Sequence, residues 1–369
     1  MNGPRVAVVG GGFAGAATAL HLARGGARVV LLEREAMPGM HASAQNAGML
    51  RTSIADPALA RIALAGARGV QQAQAWTDVQ LVRPSGSLLL ARGDALRALR
   101  NGTPELSAQR DSVRWLEPRE AIRRVTVLAG GTFEAALWSP EDGVVDTAEY
   151  LAALLRGARE AGTDVRLAAE LLDGDPGDAA RPARLTTSQG PLEADTVVIA
   201  AGAWADTVAR RLHVDPRGIV PHRRHLHATG PLAVADPAWP FVWSLGDEVY
   251  FRPESGGLLL SACDEEPYAP CEPPADPENR LLLARKIAVA FPQLIDLPLM
   301  RSWAGLRSFP PDGRFVLGRD PREERVFWVA GLGGHGVTSS WEVGRIVAAA
   351  ILGPLPPPAE FDPGRTPSA

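Results

Sequence analysis

Lysine is almost absent from this chain. Of the 38 lysines and arginines, Lys286 is the one lysine, so chemistry that needs an ammonium at an active centre has a single candidate. Cysteine is nearly as scarce. Cys263 and Cys271 are too few for a disulfide framework and lack metal-site spacing, which points to a reducing compartment. No apolar run reaches the roughly 18 residues of a spanning helix, so no integral membrane segment is expected. The expected location is cytoplasmic, with a peripheral position at the inner membrane left open. A formal net charge of −4 offers no basic excess and argues against a nucleic-acid partner. What remains is a chain of 369 residues, long enough for one large domain or two, with the composition of an ordinary globular protein.

Glycine, by contrast, is plentiful and placed. The opening "RVAVVGGGFAGAATALHLA" sets an arginine before an apolar stretch, as a secretion signal does, but its glycines fit another purpose. Arg5 to Val9 is a short β-branched run. Gly10, Gly12 and Gly15 follow as G-x-G-x-x-G, and a helical pattern through Phe13 and Ala14 runs to about Arg24. A second strand, "ARVVLLE", ends on Glu33. The spacing predicts the strand, turn, helix, strand unit of a doubly wound sheet. Gly10 permits the tight turn, Gly12 lets backbone approach a pyrophosphate, and Gly15 lets helix pack on strand. Glu33 stands where a carboxylate accepts hydrogen bonds from an adenosine ribose. A dinucleotide site follows, but NAD and FAD share the ADP half that this motif reads.

Strand-to-helix units recur. "ADTVVIAAGAWADTVARRL" reads as a buried strand running into a helix, and "VFWVAGLGGHGVTSSWEVGRIVAAAIL" repeats strand, glycine turn and helix near the end. "TAEYLAALLRGAREAG" is a helix with Gly162 at its end, and "DVRLAAEL" a strand. The runs "SLLLA", "EVYFRP" and "GLLLSA", set among turns such as "RPSGS" and "ESGG", predict an antiparallel sheet. The expected fold is α/β. Residues 1–80, 145–215 and 300–355 make a discontinuous Rossmann-like cofactor domain, and 81–144 and 216–299 an α+β substrate domain on the antiparallel sheet. Residues 356–369 read as a loose Pro-rich tail.

"LLEREAMPGMHASAQNAGML" continues from Glu33 with Gly39, Ser43, Gln45, Asn46 and Gly48, residues that suit a loop pressed along a pyrophosphate and a sugar-alcohol chain. With this stretch the chain resembles the D-amino acid oxidase superfamily of FAD enzymes, in the branch of glycine oxidase, sarcosine oxidase and D-amino acid dehydrogenase. "LEREAMPGMHAS" is most similar to the D-arginine dehydrogenase type. The likeness covers nearly the whole chain, through "VVIAAGAWAD", "VPHRRHLHAT", "EVYFRPESGGLLL", "WAGLRSFPPDGRFVLG" and "GLGGHGVTSS". It implies FAD in a glutathione-reductase-type domain. The FAD is expected to be non-covalent, because the C-terminal segment lacks the cysteine to which sarcosine-oxidase-like members attach theirs. The likeness also implies that Arg34, Ala42, Ser43, Gln45, Asn46, Ala47 and Gly48 line the phosphate and ribityl path. Leu171 would give backbone contacts to the adenine, and Ala201, Gly202 and Trp204 would close over the middle of the cofactor. The second glycine turn, from Gly333 through Gly334, His335, Gly336 and Val337 to Thr338, would aim backbone N–H groups at flavin N1 and O2, where negative charge gathers on reduction.

Planar bidentate recognition of a carboxylate is what arginine does best. Arg307 in "WAGLRSF" matches the family's carboxylate-binding arginine. In "VPHRRHLHAT" alternation puts His222 and Arg224 on one face and Arg223, His225 and His227 on the other. The motif favours Arg224 as a second substrate-facing cation, with Arg223 the alternative. Tyr250 matches a tyrosine that reaches the substrate carboxylate, and His335 completes the expected catalytic set. The histidines gather no carboxylate or cysteine in sequence, so no metal is expected. The implied reaction is hydride transfer from the α-carbon of an amino acid or amine to flavin N5, then hydrolysis of the imine to a 2-oxo acid and ammonia.

The chain also departs from its likeness. Where D-arginine-specific relatives have a histidine and a tyrosine, it has Met49 and Ile54, and near the place of their side-chain-binding acid it has Ser87. A neutral or apolar substrate is therefore expected. The lysine that sarcosine-oxidase-like members hold over the flavin for O2 has no counterpart around Ser261, and Lys286 sits in a separate helical pattern. A quinone is accordingly expected as electron acceptor ahead of O2. Two other readings stay open: oxidation of a 2-hydroxy acid, suggested by "AQNAGML", and a flavin-binding subunit of a larger dehydrogenase complex. The protein itself is expected to be a monomer or small homo-oligomer.

Overall fold

The structure is a computed structural model that describes residues 3–109 and 112–365. Its six-stranded sheet runs Val316–Arg319, Val326–Ala330, Thr196–Ile199, Arg5–Val9, Arg28–Leu32, Asp164–Arg166. Every neighbouring pair is parallel except the first. Parallel strands are covered on both faces, which is why Arg5–Val9 beyond its first residue, and all of Val326–Ala330, are apolar without alternation.

The chain leaves the first strand at Gly10, whose φ of 118° and position against Ala200 admit no side chain; a Cβ would lie 2.4 Å from the Ala200 carbonyl oxygen. Helix Phe13–Arg24 follows it. Helix Gly336–Leu352 follows the parallel strand Val326–Ala330 in the same way. The two helices lie in direct contact because Gly344 has no side chain; a Cβ there would come within 2.7 Å of Ala17 backbone. Both N-termini therefore open at the carboxyl edge of the parallel strands, where open α/β sheets bind ligands.

A second sheet of nine strands carries the other half of the site. In order it runs Glu266–Pro267, Val220–Thr229, Gly257–Ser261, Val249–Glu254, Phe241–Ser244, Ser87–Ala91, Ala135–Ser139, Arg114–Leu116, with Leu299–Phe309 pairing along Val220–Thr229. It is antiparallel but for one parallel pair, Phe241–Ser244 with Ser87–Ala91. These two strands come from distant segments and share no hairpin, so no tight turn forces them to run opposite. One face of the sheet packs Leu90, Phe251 and Leu260 together with Ile287 and Phe291 of the Asn279–Ala290 region. The other packs Leu226, Trp243, Tyr250 and Leu259 against Ala47 and against Met49 of the short strand Met49–Leu50.

Leu299–Phe309, of which residues 300–309 were placed from sequence with the cofactor segments, runs along Val220–Thr229 for its whole length, and we propose that the substrate part takes it in. Two expectations are corrected. "DVRLAAEL" is two strands, Asp164–Arg166 and Leu171–Asp175, broken where Ala168 adopts φ of 52°. The Pro-rich tail is not loose as far as Arg365: Phe361 is 1% exposed and stacks on Phe315 at 5.7 Å, and Arg365 pairs with Asp312 at 2.7 Å. Among the described residues no helix is long and apolar enough to cross a membrane.

Candidate active site

One long cleft, about 1340 Å³ with its open mouth included, runs along the carboxyl edge of the parallel sheet. Its lining runs from Glu33 and Leu171 at one end to Arg307 and Gly334 at the other, an extended shape that suits a dinucleotide. Its wall brings together Gly10, Gly12, Phe13, Ala14, Glu33, Arg34, Ala42, Ser43, Asn46, Leu171, Ala201, Gly202, Trp204, Arg307, Gly333, Gly334, Gly336 and Val337. Gly15, Gln45, Ala47, Gly48, His335 and Thr338 do not line it. Gly15 is there for packing, since a Cβ would meet the Gly10 carbonyl oxygen at 1.9 Å.

At one end, Glu33 accepts the N–H groups of Gly11 at 2.8 Å and Glu35 at 2.9 Å, which fixes the carboxylate and leaves lone pairs for further donors. Ser43 Oγ accepts the Phe13 N–H at 3.1 Å and so caps the helix start. Leu171 is only partly available for a backbone contact, because its carbonyl already accepts from Arg211 at 2.5 Å. Trp204 is flanked by Arg34, whose guanidinium lies 3.9 Å from the ring centre, and by His41 at 4.5 Å. Glu35 accepts from both flanking groups. The sequence reading missed Glu35 and His41; a lone histidine in a loop of small residues was the available signal.

The loop from Ala42 to Gly48 is tied from within and from above. Asn46 donates to the Ser43 carbonyl at 2.7 Å and accepts the Gly48 N–H at 2.7 Å, so its side chain staples the loop. From the second sheet, Arg307 donates to the Gln45 carbonyl at 2.7 Å and Arg252 to that of Ala47 at 2.6 Å. Gly305 has no side chain to keep the loop away; a Cβ would meet Gln45 at 2.7 Å.

The second glycine turn is partly spent. Gly333 N–H goes to the Ser308 carbonyl at 3.0 Å and His335 N–H to that of Leu332 at 2.9 Å. This removes His335 from the expected row of outward donors, because its amide closes the turn. Gly334, Gly336, Val337 and Thr338 N–H groups have no acceptor among the described residues. The Thr338 hydroxyl accepts the Arg51 N–H at 3.0 Å. Burial, with Arg51 and Arg224 close by, pushes the His335 imidazole down to about 3, so it is neutral and cannot serve as an acid near pH 7.

Four side chains of the expected catalytic set meet near the turn, together with one that was missed. Arg307 and Arg224 are both buried, and Arg307 forms no ion pair among the described residues; beyond Gln45 it donates to its neighbour's carbonyl, Leu306 O, at 3.0 Å. Desolvation draws its guanidinium down to about 10. Arg224 reaches Glu265 and donates to the Asp264 carbonyl at 3.2 Å. Tyr250 is 3% exposed, and burial raises its phenol, which stays protonated. The missed residue is Arg51. It lies deep yet keeps accessible surface, stacks over Trp243 at 4.2 Å, and is drawn down to about 10 by desolvation.

Arg223, the alternative to Arg224, faces away, pairing with Glu266 at 2.5 Å and Asp276 at 3.2 Å. His225 is bound to Asp264 at 2.7 Å, and His227 to Asn279 at 2.9 Å. Lys286 reaches back towards the Ser261–Cys263 segment, which its sequence position did not suggest. Its ammonium is held there by the carbonyls of Ala262 at 2.7 Å and Glu248 at 3.1 Å and by the Glu248 carboxylate at 3.5 Å. Near Ser87 the sequence showed no acid, but the fold supplies one. Asp142 accepts from Ser87 Oγ at 2.7 Å and Thr52 Oγ1 at 2.6 Å. No group of three metal-ligating side chains occurs among the described residues.

A parallel sheet with two helix N-termini opening on one long cleft, faced by arginines from a second sheet, defines a dinucleotide-dependent oxidoreductase. The family model described as FAD dependent oxidoreductase (DAO) matches residues 5–350, and the chain belongs to that family. It is similar to glycine oxidase of Bacillus licheniformis, 28% identical over 353 residues that make up 94% of this chain and 92% of that protein. It is also similar to D-amino acid dehydrogenase of Paramagnetospirillum magneticum, 31% identical over 242 residues, 61% of this chain and 51% of that one. Among solved structures, L-proline dehydrogenase from P. horikoshii shares the fold with a TM-score of 0.86 at 22% identity, covering 98% of this chain and 97% of that chain. The cofactor is FAD. The cleft fits it, with bare backbone at Gly10 and Gly12, a fixed carboxylate at Glu33, and unspent N–H groups at the second turn.

Proposed function

We propose that the protein oxidises the carbon–nitrogen bond of a D-amino acid or a related amine, producing an imine that hydrolyses to a 2-oxo acid and ammonia. The observation that carries this reading is Arg307, a buried guanidinium in the cleft wall with no carboxylate partner among the described residues and donors left over. The similarity to glycine oxidase and D-amino acid dehydrogenase supports it. Bound FAD supplies the hydride acceptor. Arg307 grips the substrate carboxylate, and Tyr250, protonated by its burial, donates a hydrogen bond to it. Together they hold the α-carbon in one orientation, which is the larger part of what the protein must contribute to a hydride transfer. Gly334, Gly336, Val337 and Thr338 direct their N–H groups, at a helix start, to the cofactor end that becomes negative. His335 is neutral and acts in the reading as a polar wall, not as an acid.

Electrons leave to a quinone in this proposal, because all three donors of the one lysine are already taken by backbone and Glu248. Anaerobic mixing of the yellow protein with D-amino acids, L-amino acids, N-methyl amino acids and 2-hydroxy acids tests the reading. Loss of visible flavin absorbance is expected with amines. Bleaching by 2-hydroxy acids alone would sink it.

A further inference from the structure

Cations outnumber their partners where the substrate would lie. Arg224 and Arg307 share one face of the nine-stranded sheet: Arg224 is in register with Gly305, and Arg307 is two residues further along the same strand, which makes them diagonal neighbours. Arg51 approaches that face from the loop side. It stacks on Trp243, whose ring lies 5.0 Å from that of Tyr250, and its N–H is fixed by Thr338 at the start of the C-terminal helix. Only Arg224 has an ion-pair partner among the described residues, Glu265, whose side chain is half exposed. Asp142, the acid that acts on Arg51 from a distance, is bound by the Thr52 and Ser87 hydroxyls.

Charges removed from water persist when they are paired, and two guanidiniums here have no ion-pair partner within the described chain. A monocarboxylic amino acid answers only one of them. Resting on the amine-oxidation reading above, we propose that the substrate carries a second carboxylate. Arg307 and Tyr250 take the α-carboxylate, while Arg51 on Trp243, with Arg224 beside it, takes the distal one. Glu265 is the group that the distal carboxylate displaces from Arg224. This replaces the neutral or apolar side chain expected from sequence.

The test uses the FAD-loaded enzyme in two arms. Non-reactive dicarboxylates (malonate, succinate, glutarate) and their monocarboxylate counterparts are titrated by perturbation of the visible flavin spectrum. Aspartate, glutamate and N-carboxymethylglycine are then compared with asparagine, glutamine and N-methylglycine in anaerobic flavin reduction, both hands of each chiral acid. At least one diacid of each arm is expected to outperform its neutral counterpart by roughly 10- to 100-fold, the scale of one charge-assisted hydrogen-bonded contact. Arg51→Met should erase that preference, and Glu265→Gln should tighten diacid binding. Equal or weaker binding and reduction for the diacids would overturn the inference while leaving amine oxidation intact. Reduction by no amine would overturn amine oxidation, and the titration would still decide whether a second carboxylate is recognised. If the Arg51 variant does not fold, the wild-type comparison and the Glu265 variant carry the decision.

Discussion

Two half-buried imidazoles make stability depend on pH. His21, set edge-on to Trp341, is drawn down to about 4 by burial with Arg24 and Arg345 nearby, and His335 to about 3 by burial with Arg51 and Arg224. Each is neutral in the folded protein and takes up a proton on unfolding below its ordinary value of 6.5. The unfolded state therefore binds more protons in that window, and stability falls as pH drops from 6.5 towards 4, by up to about 1.4 kcal/mol per pH unit for each group. Urea unfolding at stepped pH should show this slope, and His21→Gln should flatten part of it. In the proposed reading Arg307 bears on function just as directly. Arg307→Met should slow flavin reduction at low substrate by roughly 10- to 100-fold while FAD stays bound, since one charged hydrogen-bonded contact contributes about 1.5–3 kcal/mol. Unchanged reduction would remove Arg307 from the substrate site. The place of Arg307 in the cleft wall was legible in sequence because its motif is contiguous. Arg51 was not, because what makes it notable is Trp243, a residue on a strand from the other half of the chain.

At the scale of elements, the site depends on two helices held in register by an absent side chain. Gly344→Val would force the helices Phe13–Arg24 and Gly336–Leu352 apart against Ala17 backbone. Overpacking of this kind costs about 1–3 kcal/mol. The expected outcome is a lower unfolding midpoint together with weaker FAD retention on dialysis, because both N-termini that face the cofactor move. Loss of stability with unaltered FAD affinity would separate the packing from the site. The strand, glycine turn, helix units were readable from sequence because both periods and the turn are local. The parallel pairing of Phe241–Ser244 with Ser87–Ala91 was not, since edge partners from distant segments leave no local pattern. The break at Ala168 escaped for a related reason: a positive φ at alanine is imposed by surroundings, not announced by residue type.

At the scale of the whole molecule, the cofactor cleft lies along one sheet and the arginines proposed to hold substrate on another, with the Ala42–Gly48 loop pinned between them by Arg307 and Arg252. Neither cysteine lines the cleft, so denaturation should release all yellow colour into the supernatant; colour that stays with precipitated protein would reveal a covalent flavin. The C-terminal tail has a consequence of its own. His335 lies 6.2 Å from Phe315, and Phe315 stacks on Phe361, so three rings join the last described residues to the start of the helix over the active site. Truncation before Phe361 would leave Phe315 without backing, a loss on the scale of the about 3–5 kcal/mol that removal of a buried phenylalanine costs. The segment around Phe361 thus acts as a wedge that keeps the second glycine turn seated.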